Sequence, residues 1–306
     1  MTNRLLCAFF FIFGLLIHTP VVLPGQIIVD SEEQFQLAFQ ALEKGEYQRA
    51  VVEFERFIHF FPEDEKVPRA RYLIGVCYLR GKRYETARRF LEEVYRAYYP
   101  KSISGKALFL IGESYFRQGF PEEAAGFFKK VIETYPQPEL KNAAIYRLGW
   151  SRMQKDKWQE ASKTFSLVER SSRLYPSASD LSEKALMGED LPYKSPTTAG
   201  VLAIVPGLGH VYTERYKDGM VAFLLNGLTI WAAVEAFNQD LNVLGGVLVA
   251  LELGWYSGNI YSAVNSAHKY NRKVRADFRR NLTDSLNLNL FTSREVPLGL
   301  ALKIDF

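Results

Sequence analysis

A step of 37 residues governs the first half of this 306-residue chain. Ala50, Ala87, Ala124 and Ala161 stand at that interval, and so do Ala38, Gly75, Gly112 and Gly149. Tyr47, Tyr84, Pro121 and Trp158 form a third column, and Phe54, Leu91, Phe128 and Phe165 a fourth. Several columns sharing one period mark a stacked repeat array, because no single unit of this size can bury its own apolar face.

Within a unit the apolar spacing of three and four predicts two amphipathic helices. In the second unit Tyr72, Leu73, Gly75, Val76, Tyr78 and Leu79 carry one helix, Gly81 is expected to break it, and Tyr84, Ala87, Leu91 and Val94 carry the next. Phe61-Pro62, Tyr99-Pro100, Tyr135-Pro136 and Tyr175-Pro176 are expected to end the second helices, since proline cannot continue one.

The small–aromatic–small–aromatic order over residues 31–176 resembles the tetratricopeptide repeat, most completely through Gly112, Tyr115, Ala124, Phe128 and Pro136. The long step is similar to that of the periplasmic tetratricopeptide proteins of outer-membrane assembly and Tol–Pal coordination. The resemblance implies a concave groove. Phe35, Tyr72, Phe109 and Tyr146 take the position that usually faces it, with Phe39, Phe116 and Trp150 nearby and Arg80 and Arg117 at the rim. Aromatic and Arg side chains are favoured anchors for a peptide or helix ligand. The alternative for the same aromatic column is packing between neighbouring first helices.

Leu5 to Ile17 is an apolar run of 13 residues after Arg4, short for a membrane span and suited to a signal-peptide core. Residues 1–25 are read as a signal peptide or an uncleaved anchor. Cys7 and Cys77 are the only cysteines, so no disulfide framework is expected, and Cys77 on an apolar face reads as core filling. The formal charge is +4, with acidic and basic residues interspersed along the repeats, which excludes a nucleic-acid footprint.

After the repeats, Asp180 to Leu191 reads as a helix capping the array, within a cap-and-linker segment of residues 177–194 that ends at Leu191-Pro192 and Ser195-Pro196. Three apolar stretches follow, Ala199–Tyr212, Gly219–Phe237 and Leu241–Ala263, within a membrane domain of residues 195–271. Pro206, Gly207, Gly209, His210 and Tyr212, followed by Asp218 and Gly219, resemble the Pro-Gly-x-Gly-x-x-Tyr signature of small bacterial membrane domains of unknown function. Pro206, Gly207 and Gly209 are expected to break the first stretch. Gly254, Gly258, Ser262 and Ser266 form a small-residue stripe suited to close helix approach in lipid. Glu252 lies mid-helix, where a carboxyl normally has a partner, and His210 and Asn226 are its candidates.

The tail, residues 272–306, joins a basic segment to a β-hairpin expected around Thr292–Glu295 from the alternation of Leu298, Leu300, Leu302, Ile304 and Phe306. His268 to Arg280 holds six Lys/Arg and one Asp. Three crossings would place that segment opposite the exported repeats, whereas a re-entrant first stretch would return it to their side.

The expected fold class is therefore all-α: a tetratricopeptide-type solenoid, a helical membrane hairpin and a short terminal β-hairpin. The sequence contains no His/Cys cluster of metal spacing, phosphate-binding glycine loop or nucleophile signature, so no catalytic, cofactor or metal site is expected. The reading is a non-enzymatic, membrane-anchored adaptor of the bacterial envelope, inner membrane favoured, with repeats in the periplasm and partners among envelope proteins and membrane lipid. A transport or lipid-handling component using Glu252 and His210, and a structural subunit of an envelope complex, are the alternatives.

Overall fold

The computed structural model describes residues 30–285, and every element among them is a helix. Two compact units divide after Cys77, inside a helix. The signal-like run and the expected β-hairpin lie outside the described residues.

The first unit contains α1 (Ser31–Glu43), α2 (Tyr47–Phe60) and most of α3 (Val67–Arg80). Asp30 caps α1, its carboxylate accepting from the backbone N–H of Glu32 at 2.7 Å and of Glu33 at 3.1 Å. That occupies two of the amides every helix start leaves open. Phe35 meets Phe54 and Phe57 edge-on, at 5.6 and 5.3 Å between ring centres. A fully buried aromatic of this kind contributes about 2–3 kcal/mol.

The second unit continues with α4 (Tyr84–Ala97), α5 (Ser102–Arg117), α6 (Pro121–Thr134), α7 (Pro138–Gln154) and α8 (Trp158–Phe165). The glycine column works by contact: a Cβ on Gly112 would stand 2.9 Å from the Phe128 ring, and one on Gly149 2.5 Å from the Phe165 ring. These two glycines let α6 and α8 lay an aromatic ring directly on the backbone of the preceding helix. Ala50, Ala87, Ala124 and Ala161 are all fully buried.

A fifth column emerges only in three dimensions. Gly45, Lys82, Gly119 and Asp156 all have positive φ, between +58° and +82°, and turn the chain from first helix to second. The sequence pointed to Gly81 as the breaker of α3. The helix does stop at Arg80, just before Gly81, and the left-handed residue that follows is Lys82, a conformation that costs a non-glycine residue about 1 kcal/mol.

The aromatic–proline pairs end α2, α4 and α6 as expected, but not α8. Tyr175 and Pro176 open α9 (Tyr175–Leu186), with Pro176 in the first turn, where its missing N–H removes no helical bond. The capping helix thus starts and ends earlier than the expected Asp180–Leu191. Gly188 after it packs on the face of Trp158, leaving no room for a Cβ.

The remaining elements are two short helices, α10 (Pro196–Leu202) and α11 (Leu208–Tyr212), and two long ones, α12 (Tyr216–Asn238) and α13 (Asn242–Ser285). Ser195 caps α10 by accepting from the Thr198 N–H at 3.2 Å. α12 and α13 form a helical hairpin, each long and apolar enough to cross a membrane. α13 continues from the last apolar stretch into the basic segment as one helix of 44 residues.

Candidate functional site

The aromatic column expected to line a groove is buried. Phe35, Tyr72, Phe109 and Tyr146 are each at most 4% exposed. Phe109 lies 5.4 Å from Phe128, and Tyr146 5.6 Å from Phe165, centre to centre. Phe35, Phe109 and Tyr146 face the second helix of their own unit, and two of them also reach the helix that follows it: Arg69 of α3 lies over the Phe35 ring at 5.0 Å, and the Tyr146 hydroxyl is 2.9 Å from that of Ser177 on α9. Trp150 is edge-on to Phe165, and Phe116 lies beneath the Arg147 guanidinium at 4.7 Å. The groove expectation is therefore corrected for Phe35, Tyr72, Phe109, Phe116, Tyr146 and Trp150. Phe39, Arg80 and Arg117 are half-buried.

Between α5 and α7 the packing includes a charge cluster that periodicity did not reveal. Glu113 is fully buried and accepts from the Arg117 Nε at 2.9 Å and the Arg147 Nε at 2.7 Å, with a second bond from Arg147. A buried carboxylate with this many charged donors is fixed in position. A second device sits on the flank of the same unit. Tyr78 stacks on Phe90 at 5.1 Å and Tyr115 on Phe127 at 5.4 Å, with Arg83 over Tyr78 and Arg88 over Tyr115. Both stacks repeat at the 37-residue step, and both rest on half-buried tyrosines that the core columns did not include.

The glycine-rich motif folds into a hook clamped on α13. Gly207 has φ +90°, and its carbonyl accepts from the His210 and Val211 N–H groups at 3.1 and 3.0 Å. A Cβ on Gly207 would collide with the Gly219 carbonyl, and one on Gly219 would lie 3.0 Å from the Gly207 carbonyl. The two glycines of the motif are thus a matched pair at which two backbones touch. Gly209 sits against the Ala199 carbonyl and the Cβ of Ala263, equally closed to a side chain. Pro206 lies between α10 and α11, where its fixed φ suits the bend. Asp218 pairs with Arg215 at 2.5 Å in the first turn of α12.

Five polar side chains of α13 then fasten the hook and its flanks, through six hydrogen bonds. Tyr256 donates to the Ile204 carbonyl at 2.7 Å, and Asn259 to the Ala203 carbonyl at 3.1 Å. Ser262 bonds the His210 Nε2 at 3.0 Å, and Ser266 accepts from Arg215 at 2.8 Å. Asn271 closes the series, accepting from the Lys194 N–H at 2.8 Å and donating to its carbonyl at 2.9 Å. Tyr212 joins them by accepting from the Ser195 N–H at 2.9 Å. The sequence carried this signal as polar residues every three to five positions along the helix; only Ser262 and Ser266 were read, and as packing residues.

Two membrane-domain expectations change. Gly254 and Gly258 are exposed with nothing within 4 Å of an added Cβ, so the chain's own close approach uses Gly209, Ala199 and Ala263 instead. Glu252 does not meet His210, which is bonded to Ser262, nor Asn226, whose amide donates to the Ala222 carbonyl of its own helix. Both Glu252 carboxylate oxygens are buried without a hydrogen-bond partner among the described residues.

The far end of α13 returns to the last repeat. Arg275 bonds Asp156 at 2.8 Å, Arg279 bonds its other oxygen, and Phe278 packs edge-on against Trp158 at 5.6 Å.

Among the described residues no group of three or more His, Cys, Asp or Glu is placed to hold a metal. Small residues under aromatic rings, left-handed turns between paired helices and a fixed period define a stacked two-helix repeat. Family models of the tetratricopeptide repeat match residues 35–102 and 106–138, so the chain carries tetratricopeptide repeats. No curated protein matches. Among solved structures the chain is similar to a tetratricopeptide repeat protein from Parabacteroides merdae, at 16% identity, TM-score 0.41, over 83% of this chain and 98% of that one. It is also similar to the Rap conjugation gene regulator of plasmid pLS20 in complex with the Phr* peptide, at 11% identity, TM-score 0.38, over 94% and 87% of the two chains.

Proposed function

We propose that the protein is a non-enzymatic adaptor of the bacterial envelope, with tetratricopeptide repeats that hold a protein partner and a helical hairpin that fixes them to a membrane. The observation that carries the reading is the joining of two surfaces of opposite character in one unit. The repeats bury their repeating apolar columns, whereas α12 and α13 leave many large apolar side chains exposed. Trp231 and Leu253 are each 66% exposed and Val243 is 85% exposed. A contiguous apolar surface of this kind marks contact with lipid or with protein, and helices of 23 and 44 residues are long enough to span.

The hairpin crosses twice in this reading. α10 and α11, with 7 and 5 residues, are too short to span, and the hook they form is covered by α13, as broken backbone at membrane depth requires. The tail therefore lies on the side of the repeats. That end carries Lys194, Arg215, Lys217 and the basic tail, while the turn at residues 239–241 has no Lys or Arg. The charge bias by itself favours the cytoplasm for the basic end. The signal-like run before the repeats favours export, and we give it precedence, because the charge rule is counted over short loops and long domains translocate largely regardless of it. The periplasm and the inner membrane are thus the proposed location.

Photoreactive residues at Arg71 on α3 and Lys106 on α5, both reachable from solvent, should crosslink a protein partner in membrane fractions. Recovery of the full chain from the aqueous phase without detergent would refute the anchor, and absence of any crosslinked protein from both positions would refute the adaptor role.

A further inference from the structure

Glu252 belongs to a cavity of about 330 Å³ between α12 and α13. Ile230, Ala233 and Phe237 form one wall, and Val249, Leu253 and Tyr256 the other. The volume is in the range of small-ligand sites. The walls are apolar, and the Tyr256 hydroxyl is already committed to the Ile204 carbonyl. The carboxyl of Glu252 is the exception: its residue is only 9% exposed, and neither oxygen has a hydrogen-bond partner among the described residues. Phe237 and Leu253, 44% and 66% exposed, stand at the rim, so the cavity opens to the outer face of the hairpin.

Depth and charge narrow what can enter. Glu252 stands ten residues into α13, about 15 Å from the hairpin turn at 1.5 Å per residue, and so halfway through a hydrocarbon core of about 30 Å. No Lys or Arg occurs between Lys217 and Lys269, so the hairpin supplies no cation of its own at that depth. A carboxylate there is costly until it is paired, and the cheapest pairing also donates hydrogen bonds to both oxygens. An alkylammonium group meets both needs, and its chain suits the apolar walls. A lipid whose amine is held at the headgroup does not reach.

We propose that the cavity between α12 and α13 is a binding site for a hydrophobic amine, which pairs its ammonium with Glu252 and lays its hydrocarbon chain against Ile230, Phe237 and Leu253. The site rests on the reading of the hairpin as membrane-embedded and is independent of what the repeats bind.

The test uses the full chain in lipid nanodiscs and three photoreactive probes of one length: a diazirine-bearing decylamine, decanol and decanoate. The amine should label peptides spanning residues 230–237 and 249–256 about tenfold more than the alcohol, the factor that corresponds to 1.4 kcal/mol of added pairing. Glu252→Gln should abolish that preference while leaving alcohol labelling unchanged. Equal labelling by amine and alcohol, or an amine preference that survives in folded Glu252→Gln, overturns the proposal. Should the variant fail to fold, the wild-type chain decides: the decylamine should slow modification of Glu252 by dicyclohexylcarbodiimide, and an unchanged rate overturns the site. A protein crosslink from Leu253 in native membranes, with no amine labelling there, would assign the cavity to a partner helix and overturn it too. Failure of nanodisc incorporation would instead count against the membrane reading, a result distinct from any labelling pattern.

Discussion

Asp156 and Arg275 are joined by a 2.8 Å bond across 119 residues of chain. The first occupies the turn of the last helical repeat, and the second lies on the helix that emerges from the apolar hairpin. With Arg279 on the other carboxylate oxygen, the contact ties the last repeat to the long helix α13 within the second unit. It also explains why α13 continues so far beyond its apolar part: the added turns are needed to reach the repeat.

The tie has a backbone component as well as a charge. Asp156 has φ +58°, a conformation that Asn tolerates and Ala does not. Asp156→Asn should raise amide hydrogen exchange over residues 272–283 and leave the repeats unchanged. Asp156→Ala should do the same and cost a further ~1 kcal/mol of stability from strain. The partners are partly exposed, so the charge itself is worth about 1 kcal/mol. Equal exchange in wild type and Asp156→Asn would show that Phe278 on Trp158 holds the helix without the charge.

The Glu113 cluster should behave as a buried ion network. Arg147→Ala leaves a fully buried carboxylate short of its main partner, and should lower the unfolding free energy by about 3–5 kcal/mol in a denaturant titration. Replacing both partners, Glu113→Leu with Arg147→Met, should recover most of that loss, because the two most deeply buried charges leave together and only the half-buried Arg117 remains charged. A double variant as unstable as the single one would mean that packing, not charge, sets the cost.

Three small substitutions in the second unit should differ in sign. Gly149→Ala forces a Cβ into the Phe165 ring and should destabilise by about 1–3 kcal/mol. Gly126→Ala, with open space around it on α6, should stabilise by about 0.5–1 kcal/mol through helix propensity. Lys82→Gly relieves a left-handed residue and should stabilise by up to about 1 kcal/mol. Thermal unfolding of the three variants under one condition checks the ranking.

Within the hairpin the glycines divide into two kinds. Gly207→Ala combines a positive φ with a backbone collision and should cost about 3 kcal/mol, seen as a lower melting temperature in detergent. Gly258→Ala meets nothing within the chain and should leave the melting temperature unchanged. Loss of membrane-complex formation by folded Gly258→Ala would identify its face as a docking surface for another helix.

Much of this architecture was legible in the residues. The 37-residue step, the paired helices and the apolar hairpin follow from periodicity, because a helix with one buried face repeats its apolar positions whatever it packs against. The Pro-Gly-x-Gly motif was legible as a break. Its partner Gly219 was noted but not understood, since two backbones touching across a turn leave no trace beyond two glycines. The turn column was missed because only two of its four members are glycine. The aromatic column was misjudged for a related reason: amphipathic spacing says that Phe35 and Tyr146 lie on an apolar face, but not whether that face is covered.

The sequence by itself determined the elements of this protein: helices of set length, joined at a fixed interval, followed by two that are long and apolar. These depend on local spacing and composition, which the chain carries before it folds. Only the tertiary structure decided which face of each helix is covered, that Glu252 stands apart from His210 in a cavity of its own, and that the basic tail returns to the last repeat. Each of these depends on contacts between residues up to 123 positions apart, and pairings at that range are set by how helices pack, not by any pattern within one of them.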